Sequence, residues 1–421
     1  MEEPIELRLD EKTTTANHNG TIEQKRAAIL EACRRRDLSA LRALAESPGG
    51  FLTDSIRQQA WPVLLGIPLI DGKTEPDADE AASWKALPRH KDEDQVQLDV
   101  NRSFIYYPND QTESQLSLQK SHLSALILHV LRRHPYLSYF QGYHDIAQVL
   151  LLVLPAALRP RALSSLSLLR IRDFMLPSLG PAIAQLRLIP DILRLADPPL
   201  WEHLSSTEPF FALSGTLTMY AHDITTLGEI ARLFDVLLAR DPVFTVYLFA
   251  AIVRCRRAEL FETPPDEPEM LHSILSKLPA PLDLEGLIAE AGELERKFPP
   301  ERLPAWRRIS RWSVLKTARL PSRGKSGGGQ GGAEEEVDGE EHGREFFERQ
   351  VRELRWAEQK DKVEKWVWQY RRPAGTVGIA ILVGLLAVLL RKYSGPGPGL
   401  LPGPLVSGME YVFSLVANLW R

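Results

Sequence analysis

The sequence predicts an all-α protein, in which a single helical domain is followed by a flexible linker and a C-terminal transmembrane helix. Apolar residues recur at helical spacing between turn signals over most of residues 1–319, without the period-two segments that indicate strands. Glycine and acidic residues then dominate 320–344, and an uncharged apolar run fills most of 373–392. These three observations divide the chain into a folded body, a linker and a membrane anchor.

The N-terminal boundary of the body follows from local signals. Residues 1–20 are acidic and mixed, lack the basic and apolar regions of a secretory signal, and are expected to be disordered. The all-α body is predicted to span residues 21–319. Thr21 has the spacing of a capping box with the glutamine three residues later, and Asp37 is predicted to cap the second helix.

The rest of the body keeps the same helical character. Segments such as SQLSLQKSHLSALILHVLRRH and IARLFDVLLAR are separated by turn signals such as HPYL and RDPVF. We see no alternating strand–helix rhythm and no repeat of fixed length. One helical domain is therefore the simplest prediction.

The linker and the helix after it differ in composition. Residues 320–344 cannot bury enough apolar surface to offset the entropy of ordering, so a flexible linker is expected. Residues 345–372 predict a helix in which Phe347, Val351 and Leu354 share one face for about two turns. We expect this helix to be a juxtamembrane spacer.

The membrane anchor is predicted over residues 373–392. Ala374 to Leu390 carry no charge, and these 17 residues would form roughly 25 Å of helix, slightly less than the ~30 Å of a hydrocarbon core. A buried core helix is the alternative. The span is favoured by the aromatic residues at its two ends, namely Trp366, Trp368, Tyr370 and Tyr393.

The charges around the span predict its orientation. Basic residues are denser before it (Lys360, Lys362, Lys365, Arg371 and Arg372) than after it (Arg391 and Lys392). The positive-inside rule then keeps the body in the cytosol, and a short span suits a thin membrane such as that of the endoplasmic reticulum (ER). Residues 393–421 are predicted to be a short tail, with a surface helix or a hairpin as open alternatives.

Composition excludes two classes of function. The net charge is -4, with 51 basic against 55 acidic residues, so there is no electrostatic reason to expect a nucleic-acid partner. Cys33 and Cys255 are the only cysteines, which is too few for a disulfide framework or a zinc site of their own. This usage indicates a reducing compartment.

Two His-Asp dipeptides, His144–Asp145 and His222–Asp223, are the first candidates for catalysis. All-helical phosphohydrolases of the HD type hold metals with such residues, so this function stays an alternative. The simpler interpretation is that each aspartate caps the helix that follows it. Neither G-x-S-x-G nor H-E-x-x-H occurs in the predicted body, residues 21–319.

Two polar residues beside turns, Arg102 and Gln141, are the second candidates. Arg102 stands in VQLDVNRSF, and Gln141 stands in YFQGYHDI directly before Gly142, ahead of a long apolar run. Either residue alone is typical of a solvated surface. The motifs that surround Arg102 and Gln141 point to a more specific function.

VQLDVNR resembles the I-x-x-D-x-x-R element of the TBC (Tre-2/Bub2/Cdc16) domain, and YFQG matches its Y-x-Q-G element at similar spacing. GFLTDSIRQQAWPVLLGI resembles the opening R-x-x-x-W-x-x-L-L-G of the family, with Arg57 and Trp61. FALSGTLTMYAHDITTLGEIARLFDVLLARDP is similar to its later helix pair. The resemblance covers about residues 50–315. Val96 replaces isoleucine in the first element, and Gly215 stands where the family commonly has tryptophan.

The resemblance implies activation of a Rab-family GTPase by two residues supplied in trans. Arg102 would contribute a permanently charged guanidinium to the transition state, and Gln141 would orient the attacking water. The protein would need no cofactor of its own, because GTP and Mg²⁺ are bound by the partner. No hydrolase activity of its own is expected.

Other residues of these motifs have supporting roles by the same resemblance. Asp99 would hold the guanidinium one turn away, Tyr139 would support the site, and Gly142 would let the backbone approach the partner closely. Arg57 and Trp61 are expected to hold the scaffold together.

A TBC domain followed by a linker and a membrane span resembles the ER-anchored members of the family, which act on the Rab of ER-to-Golgi traffic. The resemblance therefore implies an ER membrane location with the TBC domain facing the cytosol. A membrane-anchored scaffold that binds a Rab without accelerating hydrolysis is the main alternative, followed by the HD-type phosphohydrolase.

Overall fold

The computed structural model describes residues 9–67, 83–108, 111–318 and 339–393, and every regular element in these ranges is an α-helix or a short 3-10 helix. The predicted all-α fold is therefore confirmed. The α-helices in chain order are α1 (Leu9–Arg35), α2 (Leu38–Glu46), α3 (Asp54–Leu64), α4 (Glu93–Asn101), α5 (Glu113–Arg133), α6 (Tyr143–Val153), α7 (Arg159–Leu169), α8 (Gly180–Leu186), α9 (Leu188–Ala196), α10 (Pro198–His203), α11 (Leu213–Leu217), α12 (Leu227–Ala239), α13 (Phe244–Cys255), α14 (Arg257–Phe261), α15 (Pro268–Leu275), α16 (Leu284–Lys297), α17 (Val314–Thr317) and α18 (Gly339–Tyr393).

The N-terminal segment differs from the prediction. Helix α1 begins at Leu9, inside the stretch 1–20 for which the sequence predicts disorder. Thr21 therefore lies inside a helix, where the N–H groups that follow it already have carbonyl partners, so the predicted capping box is wrong. The prediction for Asp37 is confirmed, because its carboxylate accepts a hydrogen bond from Ala40 N at 2.9 Å at the start of α2.

Helices α4 to α7 form the part of the body that positions the candidate site. Helix α4 packs against α5 and α6, and α5 also packs against α6 and α7. Val96 and Val100, four residues apart, are fully buried on α4, whereas Leu98 and Arg102, also four residues apart, are exposed. Helix α6 is buried along most of its length, which follows from its nearly continuous apolar sequence.

A buried carboxylate, Asp235 on α12, connects this helix to the N-terminal part of the body. It accepts hydrogen bonds from Arg57 Nε and Nη2 at 3.0 and 3.1 Å, from Trp61 Nε1 at 2.8 Å and from Phe51 N at 2.9 Å. The Asp235 side chain is fully buried, so these donors replace the water that it loses on folding. Arg57 and Trp61 therefore hold the scaffold together, as the sequence predicts.

Helix α18 starts earlier than predicted and packs on the body. It begins at Gly339, within the predicted linker 320–344, of which residues 320–338 lie outside the described part. Phe347 is buried with its ring centroid 4.9 Å from that of Tyr136. Gly343 lies so close to Leu168 that an added Cβ would stand 2.8 Å from the leucine Cβ.

A second buried carboxylate, Asp173, secures the same contact. It accepts hydrogen bonds from Gln185 Nε2 at 2.7 Å, from Val314 N at 3.1 Å, from the Ser313 hydroxyl, and from Gln350 Nε2 of α18 at 2.9 Å. Because Gln350 is itself buried, its amide is part of the core. The first turns of α18 therefore belong to the body, and the interpretation of this helix as a spacer is wrong for them.

The chain divides into two compact units, 1–352 and 353–421, and α18 runs through the boundary. The backbone of the predicted span 373–392 belongs to α18, but its side chains lie outside the described residues, as does the tail 394–421. Among the residues that the structure does describe, no helix has the length and hydropathy needed to cross a bilayer.

The packing of α18 can be tested with Phe347→Ala in residues 1–352. The substitution removes a buried ring and is expected to lower the free energy of unfolding by about 3 kcal/mol, measured by chemical denaturation. The exposed Arg352 on the same helix provides the control, because Arg352→Ala should change stability by less than about 0.5 kcal/mol. Equal stability of the two variants would contradict the contact.

Candidate functional site

Arg102 is the residue that directly follows α4 and forms its C-terminal cap. Its side chain is 65% exposed, yet Nη2 donates a hydrogen bond to Asp99 Oδ1 at 2.6 Å. Asp99 lies three residues earlier and its side chain is fully buried. The guanidinium is therefore held at one corner while its other N–H groups face solvent.

The other contacts of Asp99 explain how its charge is accommodated. Oδ1 also accepts from Gln95 Nε2 at 3.0 Å, and Oδ2 accepts from the Tyr139 hydroxyl at 3.0 Å. Burial raises the pKa of Tyr139 far above its usual value, and the charge of Asp99 raises it further. Tyr139 therefore stays protonated and acts as the donor.

The YFQG segment is attached to the N-terminal end of α4 as well. Tyr139 N donates to Asp92 Oδ2 at 2.9 Å, so this tyrosine contacts both ends of the α4 region. Gln141 follows Tyr139 by two residues, so their Cα atoms are at most about 7 Å apart. The Gln141 side chain is exposed, and no hydrogen bond joins it to any part of the chain that the structure describes. The fold thus places Gln141 on the loop that the Tyr139 hydroxyl joins to Asp99, the partner of Arg102.

Gly142 is required by the fold itself. Its φ of +101° lies in the region that favours glycine, and an added Cβ would stand 2.5 Å from Thr218 Cγ2. The sequence predicts that this glycine lets the backbone approach a partner. In the structure Gly142 is buried against its own chain and forms the N-cap of α6, so the close approach is internal.

Gln148 is a site residue that sequence reasoning missed. Its Oε1 accepts from Phe104 N at 3.0 Å and its Nε2 donates to Tyr107 O at 3.3 Å, so the amide holds the loop that follows Arg102. Phe104 has a φ of +63°, which is unfavourable for a residue with a side chain. The available signal was a single polar residue within the buried apolar run of α6.

The two His-Asp dipeptides meet in space. His222 Nδ1 donates to Asp145 Oδ2 at 3.0 Å, and His144 Nε2 lies 3.3 Å from Asp145 Oδ1. The prediction that each aspartate caps the next helix is wrong: Gly142 occupies the N-cap of α6, and Thr226 caps α12. Within the described ranges, no group of three or more His, Cys, Asp or Glu side chains is arranged to hold a metal ion.

Comparison with known proteins agrees with these motifs. The model of the Rab-GTPase-TBC domain matches residues 54–261, a range that contains both Arg102 and Gln141. TBC1 domain family member 20 of Bos taurus is 34% identical over 304 residues, which cover 71% of this chain and 74% of the relative. The chain belongs to the TBC domain family. GTPase-activating protein gyp10 of Schizosaccharomyces pombe is 33% identical over 305 residues, covering 71% of this chain and 80% of that protein.

A solved structure shows the same fold for the TBC domain. The crystal structure of the Ypt/Rab-GAP domain of Gyp1p superimposes with a TM-score of 0.51, covering 62% of this chain and 93% of that domain. The sequence identity is 16%, so this likeness concerns the fold alone.

The role of Gln148 in the TBC domain can be tested by Gln148→Leu. Leucine leaves Phe104 N and Tyr107 O without their partner, so the free energy of unfolding is expected to fall by about 1–3 kcal/mol in chemical denaturation. Gln97→Leu is the control, because Gln97 is exposed on α4. If both leucine variants unfold at the same denaturant concentration, Gln148 does not support the loop.

Proposed function

We propose that this TBC domain accelerates GTP hydrolysis by a Rab-family GTPase, with Arg102 and Gln141 entering the nucleotide site of the partner together. One observation carries the proposal: a single buried carboxylate, that of Asp99, accepts from the exposed Arg102 guanidinium and from the hydroxyl of Tyr139, which lies two residues before the exposed Gln141. The relative gyp10 is itself named a GTPase-activating protein, which supports the same activity.

The chemistry of GTP hydrolysis suits an arginine at this position. The transferring phosphoryl group spreads negative charge over its oxygens, and a guanidinium offers several N–H donors that stay charged at all relevant pH values. An arginine supplied in this way accelerates hydrolysis about 10³–10⁵-fold, which corresponds to about 4–7 kcal/mol of barrier. Asp99 leaves the remaining donors of Arg102 free to face the phosphates.

Gln141 is suited to position the attacking water. Its amide has both an acceptor and donors, so it can accept a hydrogen bond from the water and donate one to a phosphate oxygen. Its position directly before a buried N-cap glycine limits the freedom of the backbone that carries it. The chain uses no cofactor of its own in this mechanism, because GTP and Mg²⁺ are held by the Rab.

Apolar side chains around Arg102 support docking of another protein at this surface. Leu98, Ile105 and Tyr106 are 59%, 73% and 48% exposed, although each is a large hydrophobic residue. Exposed apolar residues beside a charged group are typical of protein interfaces.

The proposed activity is tested by phosphate release from a panel of GTP-loaded Rab proteins with residues 1–352. Arg102→Ala and Gln141→Ala are each expected to lower the accelerated rate by at least about a hundredfold while the domain stays folded at the assay temperature. Arg102→Lys should also fail, because an ammonium cannot donate in a fork.

Arg133→Ala is the control for the loss of one exposed arginine and should stimulate normally. Binding of a Rab without acceleration by the wild-type domain would instead favour the scaffold function.

We also propose that residues 373–392 anchor the chain in the ER membrane, with the TBC domain in the cytosol and a role in ER-to-Golgi traffic. The uncharged run, its aromatic flanks and the greater number of basic residues before it support this. The shortness of the run favours a thin bilayer.

The anchor is tested by imaging two fluorescently tagged truncations. A chain ending at residue 393 is expected to show an ER pattern, whereas a chain ending at residue 372 should be diffuse in the cytosol, because it lacks the apolar run. Signal at the plasma membrane alone for the longer chain would refute the ER location.

A further inference from the structure

A hydrogen-bonded chain extends from Arg102 into the body beyond the two motifs. Arg102 Nη2 contacts Asp99 Oδ1 at 2.6 Å, and the Tyr139 hydroxyl contacts Asp99 Oδ2 at 3.0 Å. The same hydroxyl lies 3.1 Å from His144 Nδ1. Tyr139 therefore stands between the carboxylate that holds Arg102 and a buried histidine.

The series of side-chain contacts continues from His144 to the protein surface. His144 Nε2 lies 3.3 Å from Asp145 Oδ1, and Asp145 Oδ2 accepts from His222 Nδ1 at 3.0 Å. The Asp145 side chain is 15% exposed, whereas that of Asp99 is fully buried. Water can therefore reach Asp145 but not Asp99.

His144 and Tyr139 have too few hydrogens to donate to every acceptor around them at once. Burial lowers the pKa of His144, although Asp145 and Asp99 oppose this, so the ring is neutral at neutral pH and has one N–H group. The Tyr139 hydroxyl also has one hydrogen. If that hydrogen is donated to His144 Nδ1, Asp99 Oδ2 loses the donor that the described residues offer it.

The two tautomers of His144 differ in whether one buried acceptor loses its donor. With the proton on Nε2, both His144 Nδ1 and Asp99 Oδ2 can only accept, so the single Tyr139 hydrogen leaves one of them unsatisfied. With the proton on Nδ1, His144 donates to the Tyr139 oxygen and Tyr139 donates to Asp99, while Asp145 turns to water and His222. An unsatisfied charged oxygen costs most where water is excluded, so the second arrangement is favoured.

We propose that His144 is a positioning residue for Arg102: as the Nδ1–H tautomer it donates to the Tyr139 oxygen and thereby directs the Tyr139 hydroxyl to Asp99. The carboxylate that holds the guanidinium is then fixed at both of its oxygens. This inference rests on the proposed function, because it concerns how the arginine is presented to the GTPase.

Two substitutions of His144 distinguish the proposed Nδ1–H donor from a role in packing alone. Both are tested in the full chain in detergent. An asparagine amide can donate at the position of Nδ1, whereas a glutamine amide reaches the position of Nε2 and contacts Asp145 instead. We expect His144→Gln to lower kcat of accelerated hydrolysis about tenfold with KM for the Rab unchanged. His144→Asn is expected to restore most of kcat. Equal effects of the two variants would overturn the proposal.

A double-mutant cycle with Tyr139→Phe tests whether His144 acts through the tyrosine. Phenylalanine removes the hydroxyl, so His144→Gln in that background is expected to cause no further loss of kcat. If the double variant instead loses kcat by the product of the two single-variant factors, His144 acts by a route that does not involve the Tyr139 hydroxyl.

The tautomer has a readout that does not depend on activity. In ¹⁵N NMR of the histidine-labelled full chain, the ring signal that is missing in His144→Gln is expected to show protonation at Nδ1 at pH 7. Protonation at Nε2 overturns the proposal even if the protein activates a Rab. Failure of the wild-type chain to stimulate any Rab would instead refute the proposed function, with the NMR result unaffected.

Discussion

The buried carboxylate of Asp99 is the constraint on which the candidate site depends. It accepts from Arg102 and from Tyr139, so it connects the end of α4 to the loop that carries Gln141. Both of its oxygens are satisfied, as a fully desolvated charge requires. A flexible arginine on a surface would lose entropy on entering another protein's nucleotide pocket. In the proposed mechanism Asp99 would reduce that loss, because it already holds one N–H group of the guanidinium.

Two other buried carboxylates, Asp235 and Asp173, organise the body in a similar way. Asp235 joins α12 to Arg57 and Trp61, and Asp173 joins the segment around α17 to Gln350 of α18. Each lies between elements that are far apart in the chain. The fold therefore uses buried carboxylates to connect distant segments, with protein donors in place of water.

Patterns in the sequence predicted the features that depend on interactions between residues close together in the chain. The helical periodicity, the cap at Asp37 and the motif residues Arg102 and Gln141 are short-range features of the sequence. The packing of Phe347 and Gln350 was not predictable in this way, because their partners lie on segments more than a hundred residues away. The apolar face of α18 is short, so the sequence suggests a spacer, and only the structure shows the surface of the body against which this face packs.

The sequence by itself determined the helical class, the TBC motifs and the two candidate residues, Arg102 and Gln141. Only the tertiary structure decided which groups surround them, since the hydrogen bonds of Gln148, His144 and His222 follow from no spacing rule. The physical reason is that a buried polar group needs a partner in space and not in sequence. A lone glutamine in an apolar helix indicates that such a partner exists, and the fold identifies it.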